Sequence, residues 1–383
     1  MVKKILIVFG TRPEAIKMAP LIKIMENRND VNFRVCVTGQ HRQMLDQILN
    51  IFDIKPDYDL NIMQENQDLY DITLKILCGM KNVLNDFKPN IVLVHGDTTT
   101  ASVTALAAFY QKIKIAHVEA GLRTYNICNP WPEEANRQII GVLANIHFTP
   151  TVKSAENLIK EGKNKEGIFI TGNTVIDALF YMTEKIKNDK TFKIKVLSSI
   201  GNEYKINDNK KFILVTGHRR ENFGEGFLQI CEALKIIAIN NPDIDIVYPV
   251  HLNPNVQKPV KMLLLNISNI YLINPLKYEE FIYLMSKSYF IITDSGGIQE
   301  EAPSLGKPIL VMRETTERPE AVEAGVVKLV GACKQNIIRE SQKLIDDQDE
   351  YEKMSKAYNP YGDGRACEKI INILIKGKNN ESI

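Results

Sequence analysis

No Cys-x-x-Cys pair occurs in this chain, and its six cysteines are scattered from Cys36 to Cys367. That spacing excludes a disulfide framework or a cysteine zinc site and fits a reducing compartment, so a cytoplasmic location is expected. The six histidines are equally dispersed, and His-Glu-x-x-His is absent. No apolar run approaches the ~20 residues of a membrane helix. The apolar stretch Ile5–Phe9 is too short for a signal segment. A net charge of only +2 provides no global field to draw nucleic acid or a membrane surface. Gly-x-Gly-x-x-Gly, a Walker A loop and Gly-x-Ser-x-Gly are all missing, which argues against the dinucleotide, phosphate-loop and serine-hydrolase sites they mark. What is there is a chain of 383 residues, 44% of them apolar, long enough for two domains with separate cores.

The opening run Ile5–Phe9 leads into Gly10-Thr11-Arg12, and a second run leads into Gly217-His218-Arg219. Continuous apolar runs read as buried parallel strands. The turns after such strands are where open α/β sheets bind ligands. Further strands are predicted at Val35–Thr38, Ile91–Val94, Ile115–Val118, Ile146–Thr149 and Ile168–Thr171. The second series is Phe212–Thr216, Ile246–Val250, Ile270–Ile273, Phe290–Thr293, Pro308–Met312 and Val327–Val330. Helical stretches such as Asp71–Leu84 and Thr99–Tyr110 lie between them. The alternation predicts an α/β chain with two Rossmann-like domains, each with a parallel sheet, facing a cleft. The expected domains are 1–172 joined by a returning C-terminal helix at 365–383, and 173–364. The hinge is placed near Gly172-Asn173. The polar segment Lys187–Lys211 reads as a connection, and the tail Lys376–Ile383 as frayed.

Four constellations can carry chemistry. In Gly10–Lys17, Pro13 at a first helical position and Arg12 just before the helix suit an anion at a helix start, with Lys17 one turn inside. The plainer reading is a tight turn with solvated charges. In Asp294–Glu301, Ser295, Gly296 and Gly297 let amides approach a diphosphate, and Glu301 can accept from a ribose diol. The alternative is a glycine turn with an acidic first helical turn. Asp97, Glu119 and the pair Glu133-Glu134 stand at or near strand ends, either as acid/base groups or as caps. In Gly217–Asn222, His218 can bond a leaving phosphate, with two arginines beside it, or the segment is a capping turn. His251 is a weaker case of the same kind. Asp57-Tyr58-Asp59 and Asp243-Ile244-Asp245 read as loop aspartates rather than metal ligands.

Taken together, Phe9–Pro20, Val94–Thr100, His117–Thr124, Trp131–Arg137, Thr216–Asn222, Val247–Asn255 and Asp294–Val311 resemble the bacterial non-hydrolysing UDP-N-acetylglucosamine 2-epimerases. The resemblance spans almost the whole chain. It implies a glycosyltransferase-B-like fold, a homodimer that binds UDP-N-acetylglucosamine and UDP, and no cofactor, metal or redox. It implies catalytic roles for Asp97, Glu119, Glu133 and His218. It implies substrate contacts for Arg12, Lys17, Phe281, Ser295, Gly296, Gly297, Glu301 and Arg318. It also implies a second, activating nucleotide-sugar site at Gln40, His41, Gln43, Arg219 and His251. Two positions depart from the family pattern: Asn66 stands where activated members carry Arg, and Leu276 where some have Gln before the uracil. The implied reaction interconverts UDP-N-acetylglucosamine and UDP-N-acetylmannosamine, for surface polysaccharide, through 2-acetamidoglucal and UDP. The competing readings are a hydrolysing 2-epimerase, a glycosyltransferase of the same fold, and a non-catalytic nucleotide-sugar sensor.

Overall fold

The computed structural model describes residues 2–40 and 42–376. Two parallel sheets carry the fold. The first contains β1 (Lys3–Phe9), β2 (Val31–Val37), β3 (Tyr58–Asp59), β4 (Ile91–His95), β5 (Lys114–Val118), β6 (Ile146–Thr149) and β7 (Ile168–Ile170), in the order β3-β2-β1-β4-β5-β6-β7. The second contains β8 (Phe212–Thr216), β9 (Asp245–Pro249), β10 (Ile270–Ile273), β11 (Ile291–Thr293), β12 (Ile309–Val311) and β13 (Val327–Leu329), in the order β10-β9-β8-β11-β12-β13. Every strand pair is parallel. In both sheets the first strand sits inside and the order reverses beside it. That reversal is where ligands bind, outside the carboxyl ends of the strands. The α/β class with two parallel sheets is therefore as expected.

Each sheet builds its own core. Leu6, Val8, Val92 and Val94 pack against Ile76, Met80 and Leu84 of the helix Leu69–Phe87. Ile213, Val215, Ile246 and Ile292 pack against Ile230, Leu234 and Ile237 of the helix Glu225–Asn240. These central strands are covered on both faces, which is why they read as unbroken apolar runs.

The chain divides into two compact units, one running to Ala178 and resuming at Tyr361, the other Leu179–Pro360. The division falls a few residues inside the expected 172/173 and 364/365, for a visible reason. The Asn173 N–H donates to the Tyr361 carbonyl at 2.7 Å. The Asp177 carboxylate accepts the Ala366 and Cys367 N–H groups at 3.2 and 2.8 Å. These bonds tie 173–177 and the start of the helix Ala366–Lys376 to the first unit.

Two expectations need correction. Residues within Lys187–Lys211 form a helix, Lys190–Gly201, capped by Asp189, whose side chain accepts the Phe192 N–H. Val196 and Ile200, one turn apart, are buried, and Ser199 Oγ donates to Glu280 at 2.6 Å. Polar neighbours hid that short apolar face. Nor are the two aspartate triplets plain loops. Tyr58-Asp59 forms the edge strand β3, and Asp245 opens β9, buried, accepting from Lys210 at 2.6 Å and from the Tyr204 hydroxyl at 3.2 Å. Among the described residues no helix is long and apolar enough to cross a membrane. The tail 377–383 lies outside the described residues.

Candidate functional site

In the first unit the turn after β1 is organised by Glu14. Thr11 caps the helix Arg12–Glu26 and Glu14 occupies its third position, the reciprocal arrangement of a capping box. Glu14 Oε2 accepts from the Gly10 N–H at 3.0 Å, the Thr11 N–H at 2.8 Å and Thr11 Oγ1 at 2.8 Å. Its Oε1 accepts from Thr98 Oγ1 at 2.6 Å. Glu14 is 2% exposed. Burial raises its pKa, although the bonds from Thr98, Gly10 and Thr11 pull the other way. Arg12 is the first residue of the helix rather than the one before it, and Pro13 follows at the second position. The Gly10 and Thr11 amides, just ahead of the helix, are thus already given to a carboxylate. Gly10 is required for space: a Cβ there would lie 2.0 Å from Thr38 Oγ1 and 2.5 Å from Thr100 Oγ1. Those hydroxyls bond each other at 2.9 Å, and Thr100 Oγ1 also reaches Gln40 Oε1 at 3.2 Å.

The strand-end carboxylates are not caps. Thr98, not Asp97, caps the helix Thr99–Tyr110 by accepting the Ala101 N–H at 3.1 Å. Asp97 Oδ2 instead accepts from Arg137 Nε and Nη2 at 3.0 and 2.7 Å. Arg137 reaches Glu134 Oε2 as well, at 3.2 Å. Glu134 itself is fully buried and holds the Thr124 and Tyr125 N–H groups. Burial opposes its charge, yet its bonds from Thr124, Gln138 and Arg137 win and lower its pKa. Glu133, beside it at the head of the helix Glu133–Leu143, is half-buried, with no such bonds among the described residues.

Glu119, just past β5, sits at φ +62°, a left-handed conformation uncommon for a residue with a side chain. Lys17 Nζ donates to its Oε2. His95 Nε2 lies 3.8 Å from the same oxygen. His95 is 3% exposed, and neither ring nitrogen has a hydrogen-bond partner among the described residues. Burial, helped by the Lys17 charge, pushes its pKa down to about 3, so the ring is neutral. His117 Nε2 bonds the Gly96 carbonyl at 2.7 Å and holds the turn ahead of Asp97. The resulting cluster sets Asp97 and Glu119, each gripped by a cation, beside a neutral imidazole.

In the second unit Asp294, just past β11 and 0% exposed, holds the turn after β8. Its Oδ2 accepts the His218 and Arg219 N–H groups, both at 2.8 Å, and Asn222 Nδ2 at 3.4 Å. The His218 ring stacks on His251, with centroids 5.5 Å apart at 23°. Burial lowers the His218 pKa; Asp294 opposes this, while His251 and Arg219 add to it. Ser295 caps the short helix Gly296–Glu301. Gly296 and Gly297 are its first residues, and first-turn N–H groups have no acceptor within a helix. Gly296 admits Arg318: a Cβ would sit 3.0 Å from the guanidinium. Arg318 is fixed there by Glu300 at 2.8 Å and Glu317 at 2.7 Å. Glu301 ends the helix, one turn beyond Gly297.

The structure therefore gathers Lys17, Glu119 and Asp97 in one unit, and Ser295, Gly296, Gly297 and Arg318 in the other, with His218, Arg219 and His251 around Asp294. Arg12, like Lys17 on the helix Arg12–Glu26, is half-buried at its start. Phe281 is half-buried on a separate helix, Tyr278–Lys287, and none of the hydrogen bonds above reaches it. Gln43 and Asn66 are exposed in the first unit, and His41 lies outside the described residues. Glu14, His95, Arg137 and Asp294 were not anticipated as site residues. Only Glu14 carries a local signal, the Thr-x-x-Glu spacing of a capping box.

A family model described as UDP-N-acetylglucosamine 2-epimerase matches residues 23–375. The UDP-N-acetylglucosamine 2-epimerase of Escherichia coli (strain K12) is 57% identical over 98% of this chain and 99% of its own length. That of Salmonella typhimurium is 56% identical over 97% of this chain and 98% of its own. The crystal structure of the Neisseria meningitidis enzyme bound to UDP-GlcNAc superposes with a TM-score of 0.87 at 54% identity, covering 98% of this chain and 100% of that one.

Proposed function

Because the chain belongs to the UDP-N-acetylglucosamine 2-epimerase family, we propose that it interconverts UDP-N-acetylglucosamine and UDP-N-acetylmannosamine without releasing free sugar. The observation that carries this reading is the pair of carboxylates Asp97 and Glu119, each oriented by a cation and neither spent on capping. The C2 hydrogen of the sugar has no adjacent carbonyl, so removing it alone leaves an unstabilised carbanion. Elimination avoids that. A carboxylate takes the C2 proton, the C1–C2 double bond forms, and the C1–O bond breaks with its electron pair leaving on UDP. Protonation of C2 of the 2-acetamidoglucal from the other face, with return of the UDP oxygen to C1, completes the inversion. At least two proton-carrying groups are needed, drawn from Asp97, Glu119 and Glu133. In the second unit the amides of Gly296 and Gly297, with Arg318, bind the diphosphate, and His218 stabilises the departing phosphate. No step calls for a metal or a nicotinamide.

The test is proton NMR of UDP-N-acetylglucosamine with the protein in deuterated water and EDTA. Deuterium at C2 with UDP-N-acetylmannosamine as product is expected. Free N-acetylmannosamine as the main product would establish a hydrolysing enzyme instead, and an unexchanged C2 would leave a binding protein or a transferase. A homodimer is part of the same reading. Exposed Tyr70 and Leu74, with Phe109 and Tyr110 on the adjoining helix, support it, and a monomer in sedimentation velocity would contradict it.

A further inference from the structure

The strongest unexplained feature outside the carboxylate cluster is one oxygen. Asp294 is wholly buried, and its Oδ2 is fully occupied by the two backbone N–H groups of the turn. Its Oδ1 has no hydrogen-bond partner among the described residues. The nearest ring nitrogen is His218 Nδ1, 3.5 Å away. A buried carboxylate oxygen left without a donor is unfavourable, because nothing replaces the water it has lost. A shift of about half an ångström in the half-exposed His218 ring would bring Nδ1 into ordinary hydrogen-bond range.

We propose that Asp294 is the positioning residue for His218: Oδ1 takes the hydrogen on ring Nδ1, and Nε2 is thereby left as the ring atom that faces the ligand. The same carboxylate would then fix both the backbone and the ring of one residue. The neighbouring ring provides a built-in contrast. His251 Nδ1 accepts the Asn253 N–H at 3.1 Å, so its ring hydrogen belongs on Nε2. The two stacked histidines should therefore hold opposite tautomers. The charged groups acting on His218 are Asp294 and Arg219, with His251 on its face, while Glu221 is taken up by Arg313 at 2.7 Å. Burial together with Arg219 and His251 favours the neutral ring, so the tautomer is a defined quantity in the free protein. An imidazole donating from Nδ1 to a carboxylate presents Nε2 in a fixed direction; in the neutral ring Nε2 is an acceptor, and it donates to a phosphate once the ring takes up a proton, which the Asp294 charge favours. Its consequence for turnover rests on the reading of His218 given under Proposed function; the tautomer itself does not.

The experiment is a long-range proton–nitrogen correlation spectrum of the full-length protein labelled at histidine nitrogen, recorded above the histidine titration range. His218→Gln assigns the resonances. The expected wild-type spectrum shows His218 protonated on Nδ1 and His251 on Nε2. In Asp294→Asn the amide oxygen keeps the backbone N–H groups and the NH2 turns to the ring, so the His218 hydrogen moves to Nε2. A wild-type His218 already protonated on Nε2 overturns the proposal without any need for the variant to fold. So does a tautomer unmoved in a folded Asp294→Asn. In turnover, loss of the Asp294 charge should shift the His218-dependent limb of the pH profile to lower pH. A uniform fall with an unmoved limb would reduce Asp294 to a scaffold and overturn the positioning role. Failure of C2 exchange in the wild type, by contrast, would sink the epimerase reading and leave the tautomer result standing.

Discussion

The turns after β1 and β8 solve one problem in two ways. Each has a pair of N–H groups buried at the carboxyl end of a sheet, and each gives both to a single carboxylate oxygen. In the first unit that carboxylate is Glu14, three residues from the capping threonine. In the second it is Asp294, 76 positions away on a neighbouring strand end. The local solution leaves the far strand ends free. Asp97 and Glu119 are each held by a cation instead. The long-range solution consumes the strand-end acid, and the carboxylates beside the Gly296 turn, Glu300 and Glu317, are paired with Arg318. The strand-end carboxylates are thus held by cations in the first unit and by backbone N–H groups in the second.

The sharpest way to break this division of labour is to neutralise the first unit's acids. Asp97→Asn, Glu119→Gln and Glu133→Gln should each lower turnover by roughly 10²-fold or more, the range for lost acid/base groups. UDP affinity, measured by calorimetry, should hardly change. Equal losses of turnover and UDP affinity would show that the two units do not divide the work. Next in size are the two turn carboxylates. Glu14→Ala and Asp294→Ala each strand two buried N–H groups, which corresponds to about 2–3 kcal/mol. Urea unfolding followed through Trp131, the single tryptophan and a residue of the first unit, should move for Glu14→Ala. An equal shift for Asp294→Ala would mean that the units unfold as one cooperative block.

A smaller effect probes the second unit alone. In Gly296→Ala the added Cβ would lie 3.0 Å from the Arg318 guanidinium, which two glutamates hold in place. The guanidinium must give by a few tenths of an ångström against those two ion pairs, and UDP should bind about tenfold more weakly, or about 1.4 kcal/mol. Unchanged affinity would remove Arg318 from the phosphate site.

The same contrast explains what could be read in advance. Ile5–Phe9 and Phe212–Thr216 were legible because buried parallel strands leave continuous apolar runs. The Gly10 and Gly296 turns were legible because glycine marks close approach, although the atoms that approach, Thr38, Thr100 and Arg318, were not. Glu14 carries the Thr-x-x-Glu spacing of a capping box, a signal that the glycine and basic residues around it overshadow. Arg137 gripping Asp97 and Asp294 holding His218 were out of reach, since those partners lie 40 and 76 positions apart with no pattern linking them. The helix Lys190–Gly201 was missed for a different reason. It buries only two apolar side chains, so its period is drowned by lysine and serine.

The smallest expected effect concerns what the local solution costs the first unit. Glu14 has four hydrogen bonds and is nevertheless shifted above the ordinary value of 4.5, because burial outweighs them. A carboxyl with a raised pKa holds its proton more tightly folded than unfolded. Stability should therefore be lost as pH climbs from 4.5 through the higher folded value, and the loss is complete once pH has passed that value. Glu14→Gln keeps one acceptor oxygen and cannot ionise, so it lacks that loss. The variant should be less stable than the wild type by about 1 kcal/mol, the worth of one ordinary hydrogen bond. The gap should be widest in acid and should narrow as pH rises, while groups common to both proteins cancel in the difference. Urea unfolding of the pair at matched pH values measures it. A gap that widens toward neutral pH would mean that the hydrogen bonds from Gly10, Thr11 and Thr98 outweigh burial. The ionised Glu14 would then be a net stabilising anchor of its turn, rather than a strained one.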